Sequence, residues 1–312
     1  MQPHGRLARI AGLHVQVLRS LRSLRTTTLR AGLCVAITSP LSAQHARLAI
    51  APEQPLPGAI IRVTLRDAHV ADDSIVAVHG MLAGEPLHFL VAGADFHAIG
   101  AVPVDSGSSV AALAIVTHAS GRADTVRASV GIPPLPPPTE QLAVAGRFGR
   151  KLDAATEARV ARESARALAV GRRAHRSPRR WTEPFVRPRA SEISSTFGTG
   201  RTFNGAVTSR HLGVDFRGGV GAPVEAANAG VVALVDRFFL GGRVIYIDHG
   251  GGLVTAYLHL SKVLVAPGDT VARGQRIGLV GATGRVTGPH LHWAARYGAT
   301  TVNPLDLVGL DW

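Results

Sequence analysis

Short stretches of alternating apolar and polar residues, separated by turn-forming residues, constrain this chain more than any other feature. Residues 60–65 and 253–260 show the alternation, which is typical of half-buried strands. The chain has 35 glycines and 19 prolines, and both residue types favour turns over long helices. We therefore predict a mainly β protein. Its 312 residues, 46% hydrophobic and 18% charged, are enough for two domains with buried cores.

The first 43 residues have the composition of an export signal. Residues 1–30 contain six arginines and no acid, residues 31–37 are apolar, and small residues lead to Ala43. The apolar stretch is shorter than the roughly 20 residues that span a bilayer. We therefore predict a signal peptide over residues 1–43, export to the periplasm, the cell wall or the medium, and no membrane span afterwards. The single cysteine, Cys34, would leave with this signal, and one cysteine excludes a disulfide framework.

Composition divides the mature chain into three parts. Residues 47–132 contain five short alternating stretches with turn residues between them, which predicts a small β-sandwich. Residues 133–190 are predicted to form a linker: a proline-rich start, an alanine-rich helix over 153–170 with Asp153 as its cap, and then seven arginines. The arginine cluster is typical of a solvated connector, and attraction to an anionic polymer is the alternative. Residues 191–312 hold most of the candidate functional residues.

Histidines and one aspartate of the C-terminal part form the pattern of a metal site. His290 and His292 are two residues apart, so both share one face if the segment is a strand. His211 and Asp215 would lie ~13 Å apart on an extended strand, so we expect a bend at Gly213 to bring them together. A catalytic zinc site has three protein ligands and an open position for water. His211, Asp215 and one histidine of the pair supply that number, and the pattern leaves open which one.

Further histidines of this part could transfer protons. The alternation over residues 253–260 places His259 on the polar face of its strand. Bound zinc lowers the pKa of water to ~7, and an imidazole of pKa ~6.5 can exchange a proton with it. A second histidine could donate to the oxyanion of a tetrahedral intermediate.

Three stretches carry a family pattern: HLGVDF at 211–216, GGRVIYIDHGGGLVTAYLHLS at 241–261 and TGPHLHW at 287–293. Through them, residues 191–308 resemble the lysostaphin/LytM-type zinc endopeptidases of bacterial cell walls. The resemblance implies an antiparallel β-sheet metallopeptidase domain with a glycine-rich groove, acting on peptidoglycan. Residues 47–132 also resemble the β-rich domain that precedes this peptidase in some secreted members.

The same resemblance assigns roles to five residues. It implies that His211, Asp215 and His292 are the ligands of one Zn²⁺ per catalytic domain. It also implies that His290 and His259 are the catalytic histidines, which position the water, move protons or stabilise the intermediate. His249 matches a structural turn of the family, so we interpret it as a structural residue, and Asn204 and Tyr257 are candidates for the substrate groove.

Other classes of function explain fewer of these features. A non-catalytic protein that binds the wall, or activates another wall hydrolase, remains the alternative, although such relatives have usually lost ligands and none is lost here. A lipoyl- or biotinyl-carrier, suggested by residues 265–275, needs a lysine at a hairpin tip, and Lys262 is the only lysine nearby. Nucleic-acid binding is not favoured, because six of the arginines behind the net charge of +13 precede residue 44 and aromatics are only 5%. We therefore predict an exported zinc endopeptidase of peptidoglycan; its oligomeric state and the bond it cleaves are left open.

Overall fold

The structure is a computed structural model that describes residues 46–66 and 73–310. The predicted signal peptide, with Cys34, lies outside the described residues. Within them, no helix is both long and apolar enough to cross a membrane.

The described part of residues 47–132 is a β-sandwich. Its strands are β1 (Arg47–Ala51), β2 (Ile60–Arg66), β3 (Ile75–Leu82), β4 (Glu85–Leu87), β5 (Leu90–Ala92), β6 (Asp95–Ala101), β7 (Ser109–His118) and β8 (Ala123–Gly131). They form two antiparallel sheets, with the orders β1-β2-β6-β5 and β4-β3-β7-β8. Val63 and Leu65 from the first sheet pack against Ala114 and Val116 from the second in one core. The stretch 87–91 is two strands in different sheets instead of the single strand that its apolar residues indicate.

The segment predicted as a linker contributes a strand and a helix, β9 (Pro138–Leu142) and α1 (Ala154–Ala174). Asp153 caps α1 as expected, because its Oδ1 accepts a hydrogen bond of 2.7 Å from the backbone N–H of Thr156. The helix buries Ala167 and Val170 against the strands of the C-terminal sheet.

The segment with the seven arginines is only partly the solvated connector that its charge predicts, although five of the seven are exposed. Trp181 and Phe185 lie among the arginines, and both are buried in the core of the C-terminal sheet. The guanidinium of Arg179 stacks 3.6 Å above the Trp181 ring. Two large aromatic side chains therefore bind this basic segment to the domain that follows it. The boundaries predicted for the domains stay a prediction.

The C-terminal part consists of strands and one short helix. They are β10 (Ile193–Ser195), β11 (Gly200–Phe203), β12 (Val207–Arg210), β13 (Val214–Arg217), β14 (Pro223–Glu225), β15 (Gly230–Phe238), β16 (Gly242–Gly250), β17 (Leu253–Leu260), β18 (Lys262–Val263), β19 (Thr270–Val271), β20 (Arg276–Leu279), β21 (His290–Tyr297), β22 (Thr300–Val302) and α2 (Leu305–Val308). The main antiparallel sheet has the order β10-β13-β21-β17-β16-β15-β19, with β22 paired to β21. The mainly β fold is thus confirmed.

Two small sheets flank the main one, β12-β11-β9 and β14-β20-β18. In the first, β9 runs parallel to β11, so the segment predicted as a linker completes a sheet of the C-terminal part. The alternation predicted for β21 is observed, since Leu291 and Trp293 are fully buried while His290 and His292 are on the other face.

The sandwich and the C-terminal part share one packed interface. Ile60 and Ile99 of the sandwich belong to the same buried core as the main sheet. Polar contacts add to it, because the Tyr297 hydroxyl donates 2.6 Å to the carbonyl of Pro86 and the N–H of Ala299 donates 2.8 Å to Glu85.

Candidate metal centre

Two neighbouring strands bring three potential metal ligands together. Asp215 on β13 and His292 on β21 are directly paired across the antiparallel sheet, and His211 lies just before β13. His211 Nε2 is 3.0 Å from Asp215 Oδ1 and 3.0 Å from His292 Nδ1, and His292 Nδ1 is 2.8 Å from Asp215 Oδ1. Ligands of a tetrahedral ion at ~2 Å are about 3.3 Å apart, so these three atoms need only a small outward movement to hold one ion.

Gly213 allows this arrangement for a reason that the sequence does not reveal. Its backbone does not adopt the left-handed conformation that the predicted bend would favour. A Cβ atom at position 213 would instead lie 2.5 Å from Nε2 of His292 and 2.6 Å from the carbonyl oxygen of Trp293. The glycine is needed because the His292 ring packs directly on its backbone.

Backbone carbonyls fix the orientation of three histidine rings. Nδ1 of His211 lies 2.8 Å from the Thr196 carbonyl, Nδ1 of His259 lies 2.8 Å from the Thr283 carbonyl, and Nδ1 of His290 lies 2.9 Å from the Gly288 carbonyl. A carbonyl can only accept, which assigns the proton of each neutral ring to Nδ1. Each Nε2 then carries a free lone pair for a metal ion or a proton.

Charge around the ligands is arranged for a cation. Burial by itself would raise the pKa of Asp215, but interactions with His211 and His292 outweigh it and hold that pKa far below its usual range. Burial lowers the pKa of His292 to about 4, and Asp215 opposes the shift. At neutral pH the site therefore offers an ionised carboxylate and a neutral imidazole, which are the protonation states that bind metal.

An ion-pair chain supports the second oxygen of Asp215. Arg201 on β11 donates 2.7 Å to Asp215 Oδ2 and 2.7 Å to Glu140 on β9. Glu140 also accepts 2.7 Å from the hydroxyl of Ser195, which lies 3.4 Å from His211 Nδ1. Sequence reasoning missed Glu140 and Arg201, because only the pairing of β9 with β11 places them beside the ligands.

His259 and His290 lie next to the three candidate ligands. Their ring centroids are 4.9 Å apart, and the His259 ring is 5.8 Å from that of His292. His259 has a φ of 65°, which is uncommon for a residue with a side chain and typical of functional sites. Burial, reinforced by the charge of His290, lowers the pKa of His259 well below 6.5, so its imidazole is neutral at physiological pH.

The sequence profile of Peptidase family M23 matches residues 209–304. Residues 209–304 form a peptidase M23 domain. This match confirms the resemblance on which the sequence assignments depend, and all five candidate residues lie within the matched M23 segment.

Individual relatives cover different shares of this chain. It is 49% identical over 104 residues to peptidoglycan DD-endopeptidase ShyA of Vibrio cholerae serotype O1, a match that covers 32% of this chain and 24% of ShyA. The chain thus spans about a quarter of the length of the curated relatives it matches.

Solved structures extend the comparison. A crystal structure of a candidate M23 peptidase from Pseudomonas aeruginosa is 28% identical, with a TM-score of 0.60 over 82% of this chain and 95% of that one. The catalytic domain of lysostaphin from Staphylococcus simulans is 31% identical over 38% of this chain and 93% of that domain, with a TM-score of 0.35.

A groove of about 680 Å³ runs past the five residues of the M23 domain. Its lining includes Glu140, Leu142 and Val144, which lie upstream of the matched segment. Tyr257, a candidate for the groove, is fully buried instead, and its hydroxyl accepts 2.8 Å from the N–H of Ala227. Asn204 is not among the lining residues; its side chain hydrogen-bonds both backbone groups of Val144.

His249 has the structural role that its sequence context indicates. It is fully buried, its Nδ1 donates 2.7 Å to the carbonyl of Ala229, and its Nε2 lies 2.8 Å from the hydroxyl of Thr255. Burial lowers the pKa of His249 to about 4. Both ring nitrogens are occupied, so it offers no lone pair to the metal centre.

Proposed function

We propose that this chain is an exported, zinc-dependent endopeptidase that hydrolyses amide bonds in the stem peptides or cross-bridges of peptidoglycan. The observation that carries the proposal is the convergence of three donor atoms beside two further histidines, along one groove of an M23 domain. ShyA, with which this segment shares 49% identity, is named a peptidoglycan DD-endopeptidase.

His211, Asp215 and His292 would hold one Zn²⁺. Imidazole nitrogen and carboxylate oxygen are usual ligands of this ion, and three protein ligands leave a position for water or substrate. When bound, the ion lowers the pKa of water and polarises the scissile carbonyl. The Arg201 contact leaves Oδ1 of Asp215 as the oxygen that faces the two histidines.

His259 and His290 would carry the protons and the developing charge. With Nδ1 bound to a carbonyl, the neutral ring of either residue accepts a proton from the attacking water through Nε2 and returns it to the leaving amine. The other ring, which takes up a proton at Nε2 from the solvent, donates to the oxyanion of the tetrahedral intermediate. The groove beside them accommodates an extended peptide.

Digestion of purified peptidoglycan tests the proposal. The set comprises the wild type with and without a chelator, His211→Ala, His290→Ala, and His79→Ala as an exposed histidine outside the groove. We expect His211→Ala to lose both metal and activity, His290→Ala to keep its metal while activity falls at least ~100-fold, and His79→Ala to match the wild type. Equal digestion by all of them would overturn the proposal.

Further measurements separate the parts of the proposal. Elemental analysis of the purified protein identifies the metal, and mass spectrometry of the released fragments identifies the bond. Binding of the wall without digestion by the wild type would favour the alternative, a non-catalytic wall-binding protein or activator. Export is tested by cell fractionation of the full chain against a variant that lacks residues 1–43.

A further inference from the structure

The groove beside the metal centre is lined by more positive than negative charge. The lining residues include four arginines but only two carboxylates. The arginines are Arg201, Arg210, Arg217 and Arg285, and the carboxylates are those of Glu140 and Asp215. A zinc ion would add further positive charge. Such a groove attracts an anionic segment of substrate.

Three of the four arginines already have partners. Arg201 donates to Glu140 and Asp215. Arg210 donates to the carbonyls of Pro136 and Gly198, and Arg217 forms an ion pair of 2.9 Å with Glu192. The guanidinium groups of these three arginines are therefore already engaged in contacts within the protein.

Arg285 differs from them. Its guanidinium lies 4.1 Å from the centre of the Phe203 ring, and within residues 46–66 and 73–310 it makes no hydrogen bond or ion pair. The side chain is half-buried, and a partly buried charge without a partner is costly. Stacking covers the face of the guanidinium and leaves its edge N–H donors free for a planar anion.

The backbone around Arg285 ties it to the reacting groups. Its N–H donates 2.8 Å to the carbonyl of Leu240. Thr283 and Gly288, in the same loop, supply the carbonyls that orient His259 and His290. A group bound by Arg285 is consequently held in a fixed position relative to both histidines.

We propose that Arg285 binds a carboxylate of the substrate peptide next to the scissile amide, so that the groove selects stem peptides with a free carboxylate over those in which it is amidated. This inference rests on the proposed function for the identity of the substrate. Arg285 would be a specificity-determining residue. A carboxylate fits the guanidinium edge with two parallel hydrogen bonds, whereas a neutral amide offers one acceptor and no charge.

Direct binding tests the inference separately from hydrolysis. Calorimetry would use the full metal-loaded protein and two soluble cross-linked muropeptide dimers, identical except that one has free carboxylates and the other has them amidated. The variants are Arg285→Gln, Arg285→Lys and the control Arg276→Gln, which removes the same charge from an exposed position outside the groove. His290→Ala is the background for all of them if the wild type cleaves the dimers during titration.

We expect the protein to bind the free-carboxylate dimer about 10- to 100-fold more tightly than the amidated one. Arg285→Gln should abolish that preference while binding of the amidated dimer stays unchanged, Arg285→Lys should retain part of it, and Arg276→Gln should retain all of it. Equal affinity for both dimers, no binding of either, or an equal loss for both in Arg285→Gln would overturn the inference. A preference that depends on Arg285 in a protein that hydrolyses neither dimer would uphold the inference and refute the proposed function.

Discussion

Arg201 donates a hydrogen bond of 2.7 Å to Oδ2 of Asp215, the carboxylate oxygen opposite the one that faces His211 and His292. The same guanidinium is held from its other side by Glu140. A residue outside the three proposed ligands thus determines which oxygen of Asp215 faces the proposed metal position. Contacts of this kind orient metal ligands and raise the affinity of the site.

Replacing Arg201 should therefore weaken metal binding. Arg201→Gln leaves Oδ2 of Asp215 buried without its charged partner, and we expect the affinity for Zn²⁺ to fall about 10- to 100-fold. Competition with a chromophoric chelator measures this affinity. Arg210→Gln is the matched control, because Arg210 lines the same groove but its guanidinium, among the described residues, hydrogen-bonds only backbone carbonyls. Equal affinities in Arg201→Gln and the wild type would contradict the role of the ion-pair chain.

Gly213→Ala should disrupt the centre although it adds only a methyl group. The new Cβ would lie 2.5 Å from Nε2 of His292, so the ring must shift from the position in which its Nδ1 lies 3.0 Å from His211 and 2.8 Å from Asp215. We expect a loss of at least ~10-fold in Zn²⁺ affinity together with about 1–3 kcal/mol of stability. Gly219→Ala is the control, because Gly219 also lines the groove and its Cβ would meet no atom within 4 Å.

Local patterns made much of this site predictable. The alternation around His290 and His292 places both on one face of β21, and the family motifs name all five residues now found together. Each motif spans only a few residues of one strand. Within a strand, the position of a residue in the sequence determines the face on which its side chain lies.

The residues around the five candidate residues were not predictable from local patterns. Glu140 reaches Arg201 through a parallel pairing of strands about 60 residues apart, and Arg285 reaches Phe203 through tertiary packing. Neither contact has a periodic signal in the sequence. The burial of Trp181 was also not predicted. The arginines around it indicated an exposed segment, whereas the large aromatic side chain is stabilised by burial.

A substitution at Gly171 tests whether α1 packs closely against the C-terminal part. Alanine is the better helix former by about 1 kcal/mol, so helix propensity alone predicts that Gly171→Ala stabilises the protein. A Cβ at this position would collide with the carbonyl oxygen of Gly298, and we therefore expect a net loss of about 1–3 kcal/mol. Chemical denaturation measures the change. Ala165→Gly, at an exposed position of the same helix, gives the size of the propensity effect. Stabilisation by Gly171→Ala would show that the helix does not pack this closely.

Acidification should weaken the interface between the sandwich and the C-terminal part. His88 Nε2 lies 2.9 Å from His175, whose other nitrogen lies 2.9 Å from Glu85. Burial, with the charge of His175, lowers the pKa of His88 below 6.5, so the folded state binds fewer protons there and loses stability as the pH falls below about 6.5. Burial alone would raise the pKa of Glu85, but hydrogen bonds from His175 and Ala299 lower it below 4.5. The ionised Glu85 therefore stabilises the folded state, and this contribution is lost as the pH falls through the lowered pKa. We expect the unfolding free energy of the metal-free wild type to fall more between pH 7.5 and pH 5.5 than that of His88→Phe, because only the wild type must keep the His88 imidazole neutral. An identical decrease in both proteins would place the pH dependence elsewhere in the fold.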